Sequence, residues 1–117
     1  MNDFKTRHIE RYRHLTGTVM PALAKDTDYN WPVRNDHCFQ RIILDTVCDG
    51  VWYSYIAPPA HKNLTLEQAV RAVELCGGII AGRIDLTKLN KQSLIWRSEY
   101  RLTKTPKLPT KTRTVLL

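Results

Sequence analysis

Between Asn35 and Gly50 the chain reads NDHCFQRIILDTVCDG. Phe39, Ile42, Ile43, Thr46 and Val47 recur at the three-and-four spacing of one buried helical face. Asn35 or Asp36 supplies an N-cap, and Gly50 just after the periodic run is the expected stop. A second stripe on the same segment, His37, Arg41, Asp45 and Cys48, is polar at its first three positions. Arg41 and Asp45 stand one turn apart and are expected to pair with each other, with His37 joining them.

Working outward, the same periodicity recurs on both sides. Toward the N-terminus, Phe4, Ile9, Tyr12, Leu15 and Val19 mark an amphipathic helix from about Asn2 to Leu15, capped by Asn2 or Asp3, with Gly17 and Pro21 interrupting it. Pro21 to Lys25 is expected as a short second helix. Toward the C-terminus, Trp31-Pro32 marks a loop, and VWYSYI at Val51 to Ile56 lacks a strand partner, so no sheet is expected. Thr65 to Gln68 is a capping-box pattern that opens a further helix through Leu66, Ala69, Val70, Val73 and Cys76, which Gly77-Gly78 should weaken or end. Asp85 to Arg101 is a last helical region, restarting near Asn90, with Leu86, Leu89, Leu94 and Trp96 or Ile95 inward. The expected fold is all-α: a single-domain bundle of four or five helices over residues 1–102, followed by a mobile basic tail, 103–117.

At 117 residues the chain has room for one core, and 43% hydrophobic with 25% charged residues describes a globular, water-exposed protein. No run of eighteen apolar residues occurs, so no membrane span or membrane partner is expected, and the polar N-terminus does not read as a secretory signal. Three widely spaced cysteines, Cys38, Cys48 and Cys76, imply no disulfide framework and fit a reducing cytoplasm, where they act as small buried hydrophobes. The four histidines and three cysteines lack zinc-ligand spacing, and no phosphate-binding glycine loop or nucleophile elbow occurs, so neither metal nor cofactor is expected.

The net charge is +7, and it is uneven. Residues 1–25, 61–97 and 98–117 carry net +3, +3 and +4, whereas residues 26–60 carry −3. A basic surface of this kind attracts phosphate backbones by releasing counterions. The favoured expectation is therefore a non-enzymatic, cytoplasmic, nucleic-acid-associated accessory or regulatory protein of a bacterium or its mobile elements. Arg97, Arg101, Lys104, Lys107, Lys111 and Arg113 are the main contacts, with Arg7 and Arg11 from the N-terminus. Glu67 to Cys76 and Leu89 to Arg101 could form a helix-turn-helix whose second helix presents Lys91, Gln92, Arg97 and Arg101 to DNA or RNA. Ile84 and Lys88 replace the small residue and the glycine usual in such turns.

Two further classes compete. The first is a small enzyme whose polar pocket is built on Arg34, Asp36, His37, Arg41 and Asp45 and closed by Trp31. In it His37 is a base or phosphate contact, and Cys38 a nucleophile at a helix N-terminus. The second is a protein-interaction module, an inhibitor, adaptor or homodimer, anchored by Trp52, Tyr53 and Tyr55.

The segment WPVRNDHCFQRIILD, Trp31 to Asp45, together with LNKQSLIWR, Leu89 to Arg97, resembles a family of small uncharacterised bacterial proteins with a WPxRxDHCFxR signature, some of which carry an acetyltransferase label. The resemblance covers about residues 5 to 97. An acetyl-CoA fold needs a mixed sheet and a pyrophosphate loop, and neither pattern occurs here. The resemblance therefore implies no catalytic residue. It implies that Trp31, Arg34, Asp36, His37 and Arg41 belong to one unit.

Overall fold

The computed structural model describes residues 3–104, and every described element is helical. The chain runs α1 (Phe4–His14), a π-helical turn (Leu15–Val19), α2 (Met20–Leu23), α3 (Asp36–Cys48), a 3-10 turn (Trp52–Ser54), α4 (Ala60–Asn63), α5 (Leu66–Ile80) and α6 (Leu86–Lys104). The all-α expectation holds. The basic tail beyond Lys104, with Lys107, Lys111 and Arg113, lies outside the described residues.

Local chemistry accounts for most of the boundaries. Asp3 caps α1 by accepting from the Thr6 amide at 2.8 Å, which holds its carboxyl below the usual carboxylate range, with Lys5 and Arg7 adding to the effect. Asn35 Oδ1 accepts from the Cys38 amide at 3.0 Å and opens α3. Thr65 and Gln68 form the full reciprocal capping box of α5. Asp85 Oδ1 accepts from the Thr87 amide at 2.9 Å, so α6 starts at Leu86 rather than restarting at Asn90.

Three expected breaks take other forms. Gly17 and Pro21 do not interrupt the first helix. The backbone widens into the π turn, where the Met20 amide reaches the Leu15 carbonyl five residues back, and the helix continues to Leu23. A proline ring would collide with the carbonyl four residues before it, and local widening relieves that collision. Gly77 and Gly78 do not end α5, which runs on to Ile80. A Cβ on Gly78 would overlap the Ile84 side chain, so this glycine exists for the close return of the chain. The left-handed stop after α3 is Asp49, at φ 56°, not Gly50. Gly50 instead lies under the Tyr55 ring, 3.1 Å from where a Cβ would sit.

Phe39, Ile42 and Ile43 of α3 are fully buried against Tyr12, Leu15, Met20, Leu75, Cys76 and Ile79. Burial of each such side chain contributes about 1.5–3 kcal/mol. Helix α1 lies along α5, and α3 packs on both α5 and α6. Leu94 and Ile95, expected inside, are about half exposed (49% and 51%). The inward side of α6 carries Leu86, Leu89, Asn90, Ser93 and Arg97 instead.

Candidate anion-binding cleft

The inward face of α6 is polar because it meets a buried carboxylate. Asp45, in the third turn of α3, is wholly buried. Its Oδ2 accepts from Ser93 Oγ at 2.7 Å and from Arg97 Nε at 2.9 Å. Its Oδ1 accepts from the second Arg97 nitrogen at 3.1 Å and from the Trp52 amide at 3.0 Å. A buried carboxylate persists only when matched in this way. The expected Arg41–Asp45 pair does not form. Arg41 instead donates across to Ser93 Oγ at 2.8 Å and Asn90 Oδ1 at 2.9 Å. Asp45 is thus tied to α6 and to the 3-10 turn, and Arg41 keeps a charge that, among the described residues, meets only neutral acceptors.

Above this network opens a cleft of about 620 Å³. Its arginine and histidine lining comes from four elements: Arg13 at the end of α1, His37 and Arg41 from α3, His61 from α4 and Arg97 from α6. Its apolar and aromatic wall includes Tyr12, Leu44, Pro59, Trp52 and Tyr53, and Gln40 and Cys38 also line it. Among the described residues no Asp or Glu side chain lines it. Partial burial, then Arg13 and Lys62, hold His61 below its ordinary value and favour the neutral ring near pH 7. The Arg97 guanidinium lies 5.1 Å over the Tyr53 ring, and Trp52 and Tyr100 meet that ring edge-on.

The expected site residues divide. His37 and Arg41 share the cleft, but His37 is 89% exposed at its rim, 3.9 Å from Asp36. Asp36 does not line the cleft; it stands in the first turn of α3 and accepts from the His37 amide. Arg34 is exposed and outside the cleft, and Trp31 does not close it. Trp31 meets Phe39 edge-on and Tyr29 at a tilt (centroids 5.5 and 4.7 Å) beside a separate cleft of about 570 Å³ at the α5–α6 turn. The five-residue pocket expected from sequence therefore does not assemble, since one backbone stretch sends its side chains to opposite sides of α3. Cys38 lines the cleft half-buried. Burial pushes the Cys76 thiol up to about 12 and, with Asp45, the Cys48 thiol up to about 11. No group of three His, Cys, Asp or Glu side chains suited to a metal occurs among the described residues.

Of the expected phosphate contacts, Arg97 is largely engaged by Asp45 and is 19% exposed. Lys91, Gln92 and Arg101 are exposed on the solvent side of α6, as are Arg7 and Arg11 on α1, where Arg7 lies over Phe4 at 5.6 Å. The side chain of Lys104 is not described. Of the aromatic trio, Trp52 is half-buried, while Tyr53 and Tyr55 are 41% and 65% exposed. Arg13, His61, Asn90 and Ser93 went unseen in the sequence. Asn90, Ser93 and Arg97, a polar row at helical spacing where apolar residues were expected, was the available signal for the last two.

No family model, curated protein or solved structure matches the chain. Among the described residues no helix is long and apolar enough to cross a membrane.

Proposed function

We propose that this protein binds nucleic acid as an accessory or regulatory factor, and that the cleft between α1, α3, α4 and α6 is where phosphate is held. One observation carries the reading: Arg13, Arg41 and Arg97, with two histidines, converge from four elements on a concavity that no carboxylate lines among the described residues. Cations interleaved with carboxylates would mark an ordinary solvated surface, whereas like charges kept together favour an anionic ligand. The neighbouring Trp52 and Tyr53 give unpaired bases a face to stack on, as single-strand binders do. Lys91 and Arg101 on α6, and Arg7 and Arg11 on α1, are exposed and add positive charge that would attract a polyanion. An enzymatic reading has less support, because Asp45 is fully occupied and Asp36 does not line the cleft.

The test is affinity for single-stranded and duplex oligonucleotides at about 50 and 200 mM salt, for the native chain and Arg13→Gln. Binding is expected to weaken with salt, to favour single strands and to weaken further in the variant. Absence of binding, or affinity indifferent to salt, overturns the proposal.

A further inference from the structure

The charge of the cleft can be weighed against the phosphate it would hold. Three guanidinium groups line it, and among the described residues the only carboxylate bonded to any of them is Asp45, which meets Arg97 from below. Two permanent positive charges, Arg13 and Arg41, have no bonded carboxylate among the described residues. Arg13 makes no hydrogen bond or ion pair among the described residues, and both hydrogen bonds of Arg41 go to neutral oxygens. The network beneath holds Arg41 on the Ser93 hydroxyl and Arg97 on the Asp45 carboxylate to which Ser93 donates, so two guanidinium groups present themselves together at little entropic cost.

An internal phosphodiester carries one negative charge, whereas a phosphomonoester carries about −1.5 to −2 at pH 7. A volume of about 620 Å³ also falls within the size of pockets for single small molecules, which suits one nucleotide better than a run of several.

Resting on the nucleic-acid reading above, we infer that the cleft selects a terminal phosphomonoester, the phosphorylated end of a nucleic-acid strand. The phosphate lies between Arg13, Arg41 and Arg97, and the end base lies against Tyr53 and Trp52. The chemistry is shared by 5′- and 3′-phosphorylated ends, and the experiment separates them.

Short single-stranded oligonucleotides are labelled at one end and carry a 5′-phosphate, a 3′-phosphate or no phosphate at the other. Their affinities are compared by fluorescence anisotropy. One phosphorylated end is expected to bind at least about tenfold more tightly than the hydroxyl end, the gain of one charge-assisted contact. Inorganic phosphate should compete for that increment alone. Arg13→Gln and Arg41→Gln should each abolish the preference. Arg13 is exposed and bonded to nothing described, so its variant is read as a ligand contact once circular dichroism shows an unchanged fold. If all three oligonucleotides bind equally and with salt dependence, end selection is overturned while nucleic-acid binding stands. If none binds, both fail.

Discussion

Asp45 illustrates how one side chain organises this protein. It is wholly buried, yet it gathers Ser93, Arg97 and the Trp52 amide, and through Ser93 it positions Arg41. Truncation would strip a largely buried guanidinium and an inward amide of their acceptor, and removing one partner of a buried pair typically costs about 3–5 kcal/mol. Asp45→Ala is therefore expected to lower unfolding free energy by about that amount in urea titration. Asp45→Asn, which keeps an acceptor and the shape, should lose less. A loss under about 1 kcal/mol for the alanine variant would show that solvent readily replaces the carboxylate and that the network is not structural.

Adjacent glycines in one helix face opposite physical situations. Gly77 is exposed with nothing within 4 Å of an added Cβ, whereas Gly78 is buried against Ile84. Helix propensity favours alanine over glycine by about 0.5–1 kcal/mol at both positions. At Gly77 nothing opposes it, so Gly77→Ala should raise stability by about that much. At Gly78 the overlap with Ile84 outweighs it, and overpacking typically costs about 1–3 kcal/mol. Gly78→Ala should therefore destabilise, yet stabilise in an Ile84→Ala background. Thermal melts of the four variants check this, and a Gly78→Ala effect of the same sign in both backgrounds would refute the packing account. The π turn shows the same competition in another form. Propensity argues for a break at Pro21, but the core contacts of Leu15 and Met20 keep the chain helical through it.

Across the whole molecule, packing sets the alkaline limit of the fold. Burial raises the Cys76 thiol from 9.0 to about 12 and raises the Tyr12 phenol well above 10.0, with the Cys76 thiolate adding to the latter. Both folded values lie above their unfolded ones. The stability these neutral groups contribute is thus complete below pH 9 and is lost as pH rises through the folded values. Unfolding free energy is expected to be level from about pH 7 to 9 in these two groups' contribution and to fall above it. Cys76→Ala should flatten the first part of that fall, which pH-dependent urea titrations would register. A native chain equally stable at pH 8 and 11 would contradict the burial of these groups. The same burial should protect Cys76 from alkylation at pH 8 until denaturant is added.

What could be read along the chain is what short-range physics controls. The period of Phe39, Ile42 and Ile43, the capping box at Thr65 and Gln68 and the cap at Asn35 involve groups within one or two turns, and they appear where expected. The clearest failure was also local: Arg41 and Asp45 stand at ideal spacing and do not bond. Each met a better partner from α6, about fifty positions away, and burying Asp45 made a bidentate guanidinium worth more than a solvated neighbour. The cleft depends still more on assembly. Arg13 and Arg97 are separated by most of the chain, and His61 sits on a four-residue helix with no periodic signal. Their convergence follows from which helix faces bury together, a property of the packed core that no stretch of residues contains alone.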